Sequence, residues 1–118
     1  MKEILIVDDS ETFRKLFIRI FEKSSTLTIV AEASSGKEAI SIMKDKIVDI
    51  ILLDLSMPDM DGLDFLEKIR KDFKGKIVIF SGIPKFDMED RCEKLGADLY
   101  IEKGENIENI FNLLESLY

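Results

Sequence analysis

Asp49-Ile50-Ile51-Leu52-Leu53-Asp54-Leu55-Ser56-Met57-Pro58-Asp59-Met60-Asp61-Gly62 is the stretch on which the fold turns. Ile50–Leu53 is an unbroken aliphatic run and does not alternate as a strand with one wet face would. A short continuous apolar run suits a strand buried on both faces, the setting of a parallel sheet. The run stops at Asp54, and Met57–Gly62 has the composition of a loop. Downstream, Leu63, Leu66 and Ile69 recur at helical spacing. Gly75 then breaks the chain before a second apolar run, Ile77–Phe80. A helix over Asp87–Leu95 carries a thin stripe of Met88, Cys92 and Leu95, and Gly96 suits its end. Leu99–Ile101 reads as a short strand. Ile107, Ile110, Phe111, Leu114 and Leu117 mark a last helix that Asn106 can cap.

Upstream the same alternation holds. Ile4–Val7 is an apolar run, followed by Phe13, Leu16, Phe17, Ile20 and Phe21 on one helix face, with Ser10 or Thr12 as the cap. That aromatic stripe reads as core; Ile18 lies off it. Leu27–Ala31 is a further strand. Ser35-Gly36-Lys37-Glu38 fits a capping box ahead of Ala39, Ile40 and Met43. Strand and helix thus alternate five times. This predicts an α/β fold of three layers, a doubly wound parallel sheet with helices on both faces.

Composition narrows the function. With 118 residues the chain is expected to be one domain, residues 1–118. Twenty-four acidic against 17 basic residues leave a net charge of −7, which disfavours direct binding to nucleic acid or to an anionic membrane surface. The single cysteine, Cys92, rules out an intrachain disulfide and reads as packing. The absence of histidine removes His-based acid–base chemistry and His metal sites. No run reaches the roughly 18 apolar residues of a membrane span, and Ile4–Val7 is too short for a signal peptide. A cytoplasmic protein is expected. There is no phosphate-cradling glycine loop and no zinc spacing.

Ligands of doubly wound sheets bind beyond the carboxyl ends of the strands. The residues there are Asp8 and Asp9 after the first strand, Asp54 after the third, Ser81 and Gly82 after the fourth, and Lys103 after the fifth. Glu32 follows the second. Taken singly, each reads as a cap, a turn or a solvated charge; gathered on one rim they read as a site. Two carboxylates about 4 Å apart repel by roughly 1–4 kcal/mol at effective dielectrics of 80 to 20. Three together call for protonation or a hard divalent cation, and all-oxygen ligands suit Mg²⁺. Carboxylates are also known covalent phosphoryl acceptors, and a cation, a lysine and a hydroxyl are the groups that offset phosphoryl charge.

On the segments ILIVDDS, DIILLDLSMPDMDG, IVIFSG and GADLYIEKG, in that order, the chain resembles the receiver domain of two-component response regulators (the CheY-like family) over essentially its full length. The resemblance implies a flavodoxin-like sheet of strand order 2-1-3-4-5. It implies that Asp54 is the phosphoacceptor. Asp9 and Asp54 would hold Mg²⁺ directly, Asp8 would do so through water, and the backbone carbonyl of Ser56 would complete the protein ligands. Ser81 would hydrogen-bond the phosphoryl group, Lys103 would pair with it, and Tyr100 would turn inward as Ser81 moves. A histidine kinase or histidine phosphotransfer protein would be the donor, and a downstream protein target would read the face made by the fourth helix, fifth strand and fifth helix. Catalysis would be limited to the chain's own phosphorylation and dephosphorylation.

Lys103-Gly104 departs from the family's usual Lys-Pro. Some regulators that carry a DNA-binding domain share a non-proline residue there, and VAEASSGKEAI resembles theirs, so one alternative is the receiver half of a longer transcription regulator. Two others are a Mg²⁺-dependent phosphatase with an Asp nucleophile and an interaction module that is never phosphorylated. The phosphatase class of the haloacid dehalogenase type normally shows Asp-x-Asp on its first strand, whereas Asp8 and Asp9 are adjacent.

Overall fold

The computed structural model describes residues 1–118. In chain order its elements are β1 (Lys2–Val7), α1 (Glu11–Phe21), β2 (Leu27–Ala33), α2 (Gly36–Asp45), β3 (Ile50–Leu53), β4 (Ser56–Met57), β5 (Met60–Asp61), α3 (Gly62–Asp72), β6 (Lys76–Ser81), α4 (Lys85–Lys94), β7 (Leu99–Glu102) and α5 (Ile107–Glu115). Five strands form one sheet in the order β2-β1-β3-β6-β7. Every pairing in it is parallel, so the five long strands take the flavodoxin-like order 2-1-3-4-5.

Strand periodicity sorts the core into two halves. Ile4 and Ile6 of β1 face one way and pack with Phe17 and Phe21 of α1 and Ile110 and Leu114 of α5. Leu5 and Val7 face the other way, onto Ala39 of α2, Phe65, Leu66 and Ile69 of α3, and Cys92 of α4. β3 is buried on both faces, all four residues of it, because helices cover both sides.

Several expectations need adjusting. Leu16 and Ile107 are exposed, although their spacing placed them on apolar stripes. Phe65, which the third stripe did not include, is fully buried. The second strand runs on to Ala33, the fourth includes Ser81, the fifth includes Glu102, and α4 begins at Lys85 rather than Asp87. Met57–Gly62 is not all loop: Ser56-Met57 and Met60-Asp61 pair as a small antiparallel hairpin. The capping residues are Ser10, Ser35 and Asn106, each accepting a backbone N–H three residues on. Of the capping box, the Ser35 half forms, accepting from Glu38 N; the Glu38 carboxylate meets the Ser34 hydroxyl instead. Gly96 has φ +106, the left-handed conformation that ends α4, and the side chain of Arg70 lies where a Cβ would project.

Candidate functional site

The site is assembled by the strand ends. Asp54 is one step past β3, yet its N–H still bonds the Val7 carbonyl at 2.9 Å, which seats it beside the end of β1. Its Oδ1 accepts the Ser56 N–H at 3.1 Å, turning the chain back over the carboxylate. Asp8 does the same at β1: its Oδ1 accepts the Ser10 N–H at 2.9 Å, and Ser10 in turn caps α1. Carboxylate oxygens of Asp8, Asp9 and Asp54 all lie within 4.8 Å of one another. Asp8 and Asp54 are buried, while Asp9 is open to solvent.

Lys103 arrives from β7. Its N–H bonds the Ser81 carbonyl at 2.8 Å, so the residue is fixed by the sheet's own ladder. No cis peptide occurs in the chain, and Gly104 leaves open space beside it, so this placement needs no proline. The ammonium is 2.8 Å from Asp8 Oδ2 and 3.3 Å from Asp54 Oδ2, and it sits 4.3 Å above the Phe13 ring. Ser81 is wholly buried, with its Oγ accepting the Ile83 N–H at 3.1 Å. Tyr100 is buried too, and its hydroxyl donates to the Ile83 carbonyl at 2.7 Å, so its ring is already turned inward. Glu32, on neighbouring β2, does not join the carboxylates; it pairs with Arg14 at 2.7 Å.

Arg14 is what a sequence reading overlooks. It is buried, and besides Glu32 it donates to the Asp8 carbonyl at 2.6 Å. The signal was present: Arg14 stands three before Phe17 and seven before Phe21, on the buried stripe of α1. It ties the loop after β1 to the helix that follows and to the strand beside it.

Electrostatics follow from burial. Desolvation raises the Asp54 pKa above its ordinary value and the Asp8 charge adds to this, against the Ser56 N–H and Lys103. Above that raised pKa the buried charge costs stability, and the cost is relieved as pH falls through it. Desolvation works against the Lys103 charge, but the hydrogen bond to Asp8 and the charges of Asp54 and Asp8 prevail, and its pKa is raised. Its contribution to stability is present below the ordinary lysine value and is lost as pH climbs through the raised one. Burial also raises the Tyr100 hydroxyl, which stays protonated and able to donate. Three convergent carboxylates with one exposed edge form a donor set suited to a hard divalent cation.

The model of the response regulator receiver domain matches residues 4–115. The chain belongs to this family. The receiver is 36% identical over 112 residues to the nitrate/nitrite response regulator protein NarL of Escherichia coli, covering 94% of the chain and 52% of that protein. It is 31% identical over 116 residues to the transcriptional regulatory protein YdfI of Bacillus subtilis, covering 98% of the chain and 54% of that protein. Among solved structures it is similar to the response regulator TrrA of Thermotoga maritima in complex with Mg²⁺ and BeF, with a TM-score of 0.85, 28% identity and full coverage of both chains. The receiver spans about half the length of the curated relatives it matches. No helix of it is long and apolar enough to cross a membrane.

Proposed function

We propose that the chain is the phospho-accepting receiver of a two-component phosphorelay. The observation that carries this reading is one ammonium, Lys103, shared between two buried carboxylates with a third close by. An Asp54 oxygen attacks the phosphorus of a partner's phosphohistidine; the P–N bond breaks and the imidazole leaves. Asp9, Asp54 and the Ser56 carbonyl would hold Mg²⁺ directly and Asp8 would hold it through water; the ion offsets charge on the phosphoryl oxygens when bound. Lys103 exchanges its hold on the Asp54 carboxylate for the phosphoryl group. Ser81, whose Oγ accepts from Ile83, keeps its own proton to donate. The aspartyl phosphate later hydrolyses at the same site, and the chain turns over no separate substrate. Folded as residues 1–118, it acts as one receiver domain in the cytoplasm.

Phosphorylation would bias the β6–α4 loop, α4 and β7, and so the face of α4, β7 and α5 that a downstream protein reads. Moving a population from 1:99 to 99:1 takes about 5.5 kcal/mol. One charge-assisted bond from Ser81 supplies about 1.5–3 kcal/mol, so the shift is partial until a partner adds its share. A second reading adds to this one: the chain is the receiver half of a DNA-binding transcription regulator, favoured by its covering 54% of the transcriptional regulatory protein YdfI.

Incubation with Mg²⁺ and a small acyl phosphate tests the proposal by intact mass. A single labile phosphoryl adduct, absent from Asp54→Ala, is expected. Absence of any adduct in the unaltered protein, or sustained turnover of an unrelated phosphate ester, would overturn it.

A further inference from the structure

At the end of the sheet opposite the carboxylates, a hollow of about 430 Å³ opens between the last turns of α2 and α3. Its walls are Ile40, Met43, Ile47, Val48, Ile69 and Phe73. Ile47 is 92% exposed, an aliphatic side chain left almost wholly in water. Four lysines, Lys44, Lys46, Lys68 and Lys74, line the hollow against one acid, Asp72. None of the four takes part in any of the chain's ion pairs. In a protein of net charge −7 this is a basic rim around an apolar floor, and it fits an apolar anchor flanked by acids.

The chain itself displays such an anchor. Phe86, on the first turn of α4, is 91% exposed. It stands roughly 200 and 240 degrees around the helix from Met88 and Cys92, so it projects away from the sheet. Asp87, Glu89 and Asp90 follow it; Glu89 is paired with Lys85, while Asp87 and Asp90 are unpaired. Both features belong to the α2–α3–α4 layer, the hollow where β3 and β6 begin and Phe86 just beyond the end of β6. Lying on one layer at opposite ends is what an antiparallel two-fold pairing needs, because each copy then offers an anchor where its partner offers a hollow.

We propose that this layer is a self-association surface, on which Phe86 of each copy enters the lysine-rimmed hollow of the other. Phosphorylation is not required for it. Sedimentation of the unaltered chain over a concentration series reaching millimolar should show a dimer that weakens as salt rises. Phe86→Ala should raise the dimer dissociation constant at least tenfold, and Lys68→Glu with Lys74→Glu should do the same. All three positions are exposed, and thermal melts should confirm that both variants fold. The deciding measurement mixes the two variants. One supplies an intact hollow and the other an intact Phe86, so the mixture keeps one contact of the two and should dimerise more tightly than either variant alone. A chain monomeric throughout the series, a Phe86→Ala dimer as tight as the original, or a mixture no tighter than its parts would each overturn the proposal.

Discussion

α3 and α4 lie side by side on the same face of the sheet and are held to it very differently. α3 buries Phe65, Leu66 and Ile69, and its N-terminus is capped by Asp61, which accepts both the Leu63 and Asp64 N–H groups. Near its end Arg70 donates to the carbonyls of Phe73, Gly75 and Gly96 and pairs with Asp98. α4 buries Cys92 alone, and Pro84 gives it no side-chain cap. What it has is a backbone bond from Lys85 N to the Glu102 carboxylate and an exposed pair, Lys85–Glu89. The helix beside Ser81 is therefore the one with least to lose by moving, and its neighbour provides the fixed wall against which a movement can be registered.

Truncation should expose the gap most plainly. Phe65→Ala is expected to cost about 3–5 kcal/mol in a denaturant titration, whereas Met88→Ala, on half-buried α4 surface, should cost about 1 kcal/mol. Equal losses would break the comparison. Asp61→Ala removes the cap that α4 lacks and should cost about 1 kcal/mol. Hydrogen exchange should show α4 amides opening before those of α3, and treatment with Mg²⁺ and an acyl phosphate should alter protection in α4 while leaving α3 nearly unchanged. The smallest effect lies outside both helices. Asp9→Ala, in chelator, relieves carboxylate repulsion on an exposed group and should raise the melting temperature by about 2 °C. A clear drop would mean that the three carboxylates are not crowded enough for their repulsion to cost stability.

The layers and strand order could be read from the apolar runs because each is buried on both faces and bounded by charge or glycine, as at Ile50–Leu53 before Asp54. The rim residues could be read because a strand end places the next residue without help from elsewhere, as Asp8, Asp54 and Lys103 do. What stayed hidden depends on neighbours distant in sequence. Leu16 and Ile107 obey helical spacing yet face water, since periodicity names a face but not how far the opposing sheet reaches. Arg14 is polar on an apolar stripe, and only the Asp8 carbonyl and Glu32 explain it. The inward Tyr100 is fixed by Ile83, a contact from β7 to the loop between β6 and α4. The lysine-rimmed hollow is made by the ends of two helices that pattern analysis treats separately.

The separation of charge along the strands has a kinetic consequence. With carboxylates crowded at one end and unpaired lysines at the other, the molecule is an electric dipole as well as an anion. A charged body diffusing toward it feels a torque before it feels a contact. Cationic surfaces are turned toward the rim of Asp9 and acidic ones toward Lys68 and Lys74, so encounters begin already oriented, and added salt slows them by removing that guidance.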